Sequence, residues 1–130
     1  MNLLIENRFD QLEEKLLESA MVKSYKVLRR EVSLRSGQCR IRAELRDGGL
    51  LEMFEYVQVT SKGEIITRKY RYHWQDAEGR IMRRWDNAAH YSDLPYAPHH
   101  VHLPDGFVEG VAEPPDGLQV LTQIEAQFTS

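Results

Sequence analysis

The chain has 130 residues, of which 42% are hydrophobic and 28% are charged, and it contains a single cysteine. This length suits one domain with a modest core, and no apolar run is long enough to cross a bilayer. Cys39 has no partner for an internal disulfide and is predicted to be a small buried hydrophobe. The first residues do not resemble a secretory signal, so a cytoplasmic protein without a membrane segment is predicted.

The formal net charge of −3 is unevenly distributed along the chain. Residues 1–20 carry two basic and five acidic side chains, residues 21–84 carry fifteen and eight, and residues 85–130 carry none and seven. The three parts therefore have charges of −3, +7 and −7. A basic centre can form an anion-binding surface of the kind that nucleic acids require. The slightly favoured interpretation is that the acidic ends fold back and neutralise the basic sheet, because charge asymmetry alone is common.

Hydrophobic periodicity predicts an amphipathic helix over residues 9–20 within the amino-terminal segment 1–20, with Asn7 as its cap. Residues 24–86 are predicted to form an antiparallel meander of five strands. Four turn signals at roughly ten-residue spacing support this prediction; they are Ser36-Gly37, Asp47-Gly48-Gly49, Ser61-Lys62-Gly63 and Asp76-Ala77-Glu78-Gly79.

Two details of the meander bear on its surface. In the first strand the apolar residues change parity, and a bulge near Leu28 would reconcile them. The second strand has the clearest alternation in the chain, which predicts one half-buried face and one basic face. The basic face carries Arg40, Arg42 and Arg46.

Regular periodicity stops after Asp86. Residues 87–106 are predicted to form a loop rich in histidine and aromatic residues, from Asn87 to Pro98, and a short edge strand over residues 99–103. Residues 107–130 are predicted to form an acidic linker and a closing helix that begins at Pro115 or Asp116. The predicted fold class is α+β, a single domain over residues 1–130 with an antiparallel sheet of five or six strands and a helix at each end.

All five histidines of the chain lie between Tyr70 and Gly106. Imidazole is the side chain most easily poised near neutral pH, so it serves both as an acid–base group and as a metal ligand. In a strand, His100 and His102 point to one face and His99 to the other. His100 and His102 can supply two metal ligands, with a third from His90, His73 or Asp86. The sequence contains no HExxH or CxxC motif, however, so no metal or other cofactor is predicted. The structural alternative is that the imidazoles only satisfy hydrogen bonds among tyrosine hydroxyls and carboxylates.

Cleavage of RNA without a metal needs a base for the 2′-hydroxyl, an acid for the leaving oxygen and cations for the charge on phosphorus. The candidate catalytic groups are predicted to converge where the fourth strand meets the loop and the edge segment; they are His73, Arg84, Asp86, His90, His99, His100 and His102. The candidate substrate-binding residues are Lys69, Arg71, Tyr72, Trp74, Arg83 and Trp85. The aromatic face of the fourth strand is more often core than a stacking platform for bases.

Two stretches of this region, YRYHWQDAEGRIMRRWDNAAH and LPYAPHHVHLPDG, resemble the signature region of the TumE family of toxins from bacterial and archaeal toxin–antitoxin pairs. Family members carry the patterns Y-x-Y-H-W/F-Q-D-A-x-G-R, R-W/Y-D-N-A-P-H-H and P-H-H-K-H. The chain departs from these patterns at three positions, where the family tends to have proline, histidine and lysine; these are Ala89, Tyr91 and Val101. The remaining positions of the patterns match, including those of His73, Asp86, His90, His99, His100 and His102.

The resemblance implies a small growth-inhibiting protein that is neutralised by a cognate antitoxin, a small DNA-binding protein, and it implies no particular reaction. The predicted function is a toxin component that acts on RNA as a metal-independent ribonuclease. The first alternative is a non-catalytic module that recognises protein or nucleic acid through its histidine and aromatic region. The second is a metal-dependent hydrolase whose ligands are His90, His99, His100 and His102. The oligomeric state does not follow from the sequence.

Overall fold

The structure is a computed structural model, and it describes residues 2–129. Its elements in chain order are α1 (Leu3–Glu18), β1 (Val22–Val32), β2 (Ser36–Leu45), β3 (Leu50–Val59), β4 (Ile65–Gln75), β5 (Ile81–Asp86), β6 (His100–His102), β7 (Val108–Gly110) and α2 (Gly117–Thr129). The seven strands form one antiparallel sheet in the order β1 to β7, so each strand pairs with its neighbours in sequence. The predicted α+β class and meander are confirmed.

Both helices pack on one side of the sheet, which we call the helix face. The opposite side is called the open face. Alternate side chains of β2 and β3 point toward the helices, and they form one core with the apolar residues of α1 and α2; among them are Ile5, Phe9, Leu12, Ile41, Leu51, Met53, Leu121 and Ile124. Cys39 belongs to this core as predicted, and burial raises the pKa of its thiol to about 12.

The first helix begins earlier than its periodicity indicates. Asn2 is the cap, and its side-chain oxygen accepts hydrogen bonds from the backbone of Leu4 and Ile5 at 3.0 and 3.3 Å. The predictions of a cap at Asn7 and a start at residue 9 are therefore wrong. The reason is that Leu3 and Leu4 are exposed, so the first turn does not show the apolar spacing of a buried helix face.

The first turn of the meander lies at a different position from the predicted one. Ser36 and Gly37 lie within β2, and the chain turns over residues 33–35 instead. Gly37 allows β2 to pack closely against α1, because a Cβ there would lie 2.6 Å from Ile5 Cγ2 of α1. The bulge predicted near Leu28 is confirmed by a register shift between Val27 and Arg29. The other three turns lie where their glycines predict, each with a positive φ, at Gly48, Gly63 and Gly79.

The sheet has seven strands rather than five or six because β7 forms inside the segment predicted to be a linker. As a consequence β6 is not an edge strand, since it lies between β5 and β7. The second helix begins after Asp116, as predicted: the Asp116 carboxylate accepts from the backbone N–H of Gln119, and the Gln119 side chain accepts from that of Asp116. Neither of the described helices is long and apolar enough to span a membrane.

Candidate functional site

Sheet register brings most of the predicted catalytic residues to the open face. Residues directly opposite each other in antiparallel strands lie side by side on one face. Two such rows cross β4, β5 and β6; one contains His73, Arg84 and His102, and the other contains Arg71, Asp86 and His100. The end of β5 and the short strand β6 therefore place two imidazoles beside one carboxylate.

Asp86 is the centre of this arrangement. Its side chain is almost fully buried. Its Oδ1 atom accepts a hydrogen bond from the Ala88 backbone at 3.0 Å and lies 2.9 Å from His100 Nε2. Its Oδ2 atom lies 3.6 Å from His102 Nε2. The carboxylate thus contacts one imidazole with each oxygen, and the Ala88 contact fixes its orientation.

The ring of His100 is fixed from both sides. Its Nδ1 atom lies 2.8 Å from the carbonyl oxygen of Pro98, and because a carbonyl only accepts, Nδ1 is the donor. Its Nε2 atom faces Asp86. The ring of Tyr91 packs on both imidazoles, with centroids 4.7 Å from His100 and 5.6 Å from His102. His100 is 2% exposed, so its ring presents little surface to solvent.

His102 is the partly exposed imidazole of the pair. Burial lowers the pKa of its ring below the usual value of about 6.5; the Asp86 carboxylate opposes this, and His100 and Arg84 add to it. The lowered pKa favours the uncharged ring. An uncharged imidazole at the margin of a cavity has the lone pair that a general base needs.

His73 and Arg84 form the second row beside the carboxylate. The Nε atom of Arg84 donates to His73 Nδ1 at 3.1 Å, and His73 Nε2, which then carries the proton, donates to the Gln75 side chain at 2.9 Å. No carboxylate pairs with Arg84 in the part of the chain that the structure describes. His73 thus holds the guanidinium in place and leaves its terminal nitrogens available to an anion.

An open cavity of about 780 Å³ lies in front of these residues. Its walls carry one acidic residue, Asp86, against five cationic residues, which are Arg40, Arg68, Lys69, Arg71 and Arg84. His90, His100 and His102 also line it, so three of the five histidines converge there. A concave surface with this balance of charge concentrates anions.

The loop after β5 borders this cavity and is tied to the sheet at both ends. At one end the Asn87 side chain accepts from the backbone N–H of Tyr70 at 3.2 Å and donates to the carbonyl of Arg68 at 2.9 Å. It thereby continues the β4–β5 pairing after β5 has ended. At the other end the carbonyl of Pro95 lies against Gly110, where a Cβ would leave no room for it. The loop therefore holds Tyr91 and His90 at the cavity.

His99 lies apart from the predicted cluster. Its ring stacks on Tyr70 with centroids 5.8 Å apart, and its Nδ1 atom shares a hydrogen bond of 2.9 Å with the Tyr70 hydroxyl, whose pKa is raised by burial and by Asp86. Neighbouring residues of a strand point to opposite faces, so His99 and His100 separate. The single cluster predicted from sequence therefore lacks His99.

The predicted substrate-binding residues divide between the two faces. Lys69 and Arg71 line the cavity. Tyr72, Trp74 and Trp85 are buried in the core of the helix face, where Tyr72 donates a hydrogen bond to Glu55. Arg83, the remaining candidate, lines a different groove, between α2 and strands β5 to β7. Strand parity thus removes these four side chains from the open-face cavity.

Several cavity residues were not singled out as site residues from the sequence. Arg40 lies over the ring of Phe54, with its guanidinium carbon 4.7 Å from the ring centroid, while Arg68 and Tyr91 complete the walls. The basic face of the second strand already indicated Arg40. Phe54 is its register partner on β3, and that pairing becomes visible only once the hairpin register is known.

A metal ion has one candidate location within residues 2–129. The ligand atoms of Asp86, His100 and His102 all lie within 4.8 Å of one another, and two imidazoles with a carboxylate suit zinc or ferrous iron. The contact between His100 Nδ1 and a backbone carbonyl is also common among metal-bound histidines. His100 and His102 with Asp86 as a third ligand is one of the sets that the sequence allowed. The four-histidine set predicted for a metal-dependent hydrolase is not assembled, because the His99 ring stacks on Tyr70 instead.

The fold and site define a small α+β protein, in which a seven-stranded meander carries both helices on one face and a cationic, imidazole-bearing cavity on the other. A family model described as "Toxin TumE" matches residues 12–129, which is nearly the whole chain. The chain belongs to the TumE toxin family. No curated protein and no solved structure gave a significant match. Membership in this family implies a toxin component of a toxin–antitoxin system, with an antitoxin as its partner.

Proposed function

We propose that this toxin acts on RNA as a metal-independent ribonuclease, and that its antitoxin is a small DNA-binding protein. The observation that carries the ribonuclease proposal is the meeting of His102 with Arg71 and Arg84 in one cationic cavity. Phosphodiester cleavage needs a proton acceptor and positive charge within reach of the same phosphate. These three side chains lie on adjacent strands of one open face.

The charge distribution supports an external anion rather than internal neutralisation. Three acidic residues of α1 pair on the helix face, where Glu6, Asp10 and Glu13 all contact Arg30. Glu125 of α2 pairs with Lys15 of α1. These carboxylates of the acidic ends thus pair on the helix side, and among the described residues no carboxylate forms an ion pair with the five cationic residues of the cavity.

In the proposed reaction, His102 Nε2 faces the Asp86 carboxylate, and the other ring nitrogen, Nδ1, removes the proton from a ribose 2′-hydroxyl. The 2′-oxygen then attacks phosphorus while the bond from phosphorus to the 5′-oxygen breaks. Arg71 and Arg84 stabilise the negative charge that develops on the phosphoryl oxygens, and the protonated form of His90 donates a proton to the leaving 5′-oxygen. The products are a 2′,3′-cyclic phosphate and a 5′-hydroxyl, so no water is consumed. Asp86 and His100 position His102.

A non-catalytic module for nucleic acid is the second candidate function. The contact between Arg40 and Phe54 favours it, because a guanidinium supported by an aromatic ring is a platform on which a base stacks. Cationic walls and a stacking platform suffice for binding without proton transfer. The two candidates differ in what happens to bound RNA.

The deciding experiment incubates purified protein with end-labelled RNA and identifies the product termini. We expect fragments that end in a 2′,3′-cyclic phosphate, loss of cleavage in His102→Ala, and retained cleavage in His99→Ala, which removes an imidazole outside the cavity. Both variants are checked for folding by circular dichroism. RNA that is bound but left intact by the wild-type protein would establish the binding module instead. An absence of both binding and cleavage would overturn an action on RNA.

A further inference from the structure

The cavity is one end of a longer feature of the open face. The row that contains Arg71, Asp86 and His100 continues across the sheet to β1, through Phe54 and Arg40 to Arg29. The parallel row that contains His102, Arg84 and His73 continues through Glu52 and Arg42 to Lys26. We call these two rows the open-face track. Adjacent strands lie about 4.8 Å apart, so Arg29 is roughly 14 Å from Arg71 across the sheet.

The β1 end of the track places like charges directly opposite each other. Arg29 pairs in register with Arg40, and Lys26 pairs with Arg42. Opposed like charges destabilise an antiparallel pair. Two exposed ion pairs relieve this only weakly: Arg29 contacts Glu31 at 2.9 Å, and Arg42 contacts Glu52 at 3.4 Å. Among the described residues no carboxylate pairs with Lys26.

On the helix face of β1, the positive charge is paired with carboxylates. Arg30 points to the helix face, and there three carboxylates from α1 contact it at 2.7 to 2.9 Å. The positive charge of β1 is therefore paired with three carboxylates where the chain packs on itself, and only weakly neutralised where it faces solvent. Positive charge that the fold retains at a cost to its own stability is what an external polyanion would neutralise.

Resting on the proposed function, we propose that single-stranded RNA lies along the open-face track, from Lys26 and Arg29 at β1 to His102 at β6. Lys26 and the arginines of the track contact its phosphates, and one base stacks on the Arg40 guanidinium, which lies over the Phe54 ring. A single strand is favoured over a duplex because bases in a duplex are already stacked within it and cannot reach a side chain on a sheet surface. The strand thus enters at the sheet edge and presents its scissile phosphate in the cavity.

The test uses a charge variant far from the cavity, Lys26→Gln/Arg29→Gln, and a matched control, Lys62→Gln/Arg80→Gln. The control removes two exposed charges from hairpin turns outside the track. Binding of a twelve-nucleotide single-stranded RNA is measured by fluorescence anisotropy over a range of salt concentrations. Each lost phosphate contact lowers the slope of log affinity against log salt by about 0.7 for a single strand, so the track variant should lose about 1.4. The control should keep the wild-type slope.

Two further outcomes separate this inference from the proposed function. The wild-type protein should bind the twelve-nucleotide RNA more tightly than a dinucleotide, and the track variant should lose most of that gain. If the wild-type protein cleaves RNA but the track variant keeps the full gain and slope, the track is overturned while the ribonuclease stands. If RNA binds along the track and is not cleaved, the ribonuclease fails and the track stands. Equal affinity for duplex RNA would overturn the single-stranded substrate.

Discussion

Asp86 and His100 lie directly opposite each other on β5 and β6, and 2.9 Å separates Asp86 Oδ1 from His100 Nε2. Both side chains are buried, and each has a backbone contact of its own, to Ala88 and Pro98 respectively. Neither group can move without losing a hydrogen bond, and the pair is therefore a rigid support for His102. The support acts through charge as well as position, since the second carboxylate oxygen faces the His102 ring at 3.6 Å.

This relationship predicts the effect of Asp86→Asn. The amide keeps the shape of the carboxylate and an oxygen that accepts from Ala88, but it removes the negative charge that stabilises a protonated His102. We expect single-turnover cleavage of RNA to fall on the order of 10²-fold, the scale of one acid–base contribution, with little change in melting temperature. Cleavage at the wild-type rate would show that the carboxylate does not assist His102.

The metal-independent mechanism predicts that chelators leave cleavage intact. Protein treated exhaustively with a chelator, then assayed in metal-free buffer, should cleave RNA at the rate of untreated protein. Elemental analysis of the purified protein should find transition metal well below one equivalent. A rate that disappears on chelation and returns with zinc would instead assign Asp86, His100 and His102 as ligands of a metal-dependent hydrolase.

The fold was largely predictable because its information is local. Every strand of the meander pairs with the next, and glycines with positive φ, such as Gly48 and Gly79, mark the turns between them. The errors arise where the local sequence pattern does not reflect how a residue packs in the fold. Leu3 lies in a helix but is exposed, so periodicity misses it. The strand β7 has three residues and forms only because β6 offers it an edge.

The residue types of the site could be predicted from the sequence, but the positions of their side chains relative to one another could not. Its residue types stand out in the sequence, yet β5 and β6 are joined by a long loop, and pairing across such a loop has no local signature. A shift of one residue moves a side chain to the opposite face. Strand parity already separated His99 from His100, yet the predicted cluster contained both, because parity does not show which partner each ring contacts. Phe54 depends likewise on the register of a hairpin formed at a distance from the histidines.

Close packing of the loop on β7 predicts that Gly110→Ala is destabilising. A Cβ at Gly110 would collide with the carbonyl of Pro95, so the loop or the edge strand must shift. Overpacking of this kind costs about 1–3 kcal/mol of the free energy of unfolding, and the displaced loop should also weaken RNA binding. Chemical denaturation measures the first effect. Glu109→Ala, at an exposed neighbouring position of the same strand, is the control and should fall within about 0.5 kcal/mol of wild type.

The buried network on the helix face predicts the outcome of Tyr72→Phe. Burial raises the pKa of the Tyr72 hydroxyl well above its usual value, so it remains a donor to Glu55. Its loss leaves the carboxylate with Arg8 at 2.9 Å and costs about 2 kcal/mol, the scale of a hydrogen bond to a charged group. RNA cleavage per folded molecule should be unchanged, because the ring lies away from the cavity. Reduced affinity for RNA in the folded variant would return Tyr72 to the substrate-binding residues.

Family membership predicts a growth phenotype, and the site predicts which substitutions remove it. Induced expression of the chain should slow growth of a bacterial host, and co-expression of a small protein encoded beside it should restore growth. If toxicity arises from the open-face cavity, His102→Ala should permit normal growth at equal soluble expression, whereas His99→Ala should remain toxic because its imidazole lies outside the cavity. The neighbouring protein should still bind the His102→Ala variant if it recognises the folded chain, and co-purification measures this. Toxicity that persists in folded His102→Ala would place the harmful activity elsewhere on the molecule, while full growth with the wild-type chain at high soluble expression would contradict a toxin function.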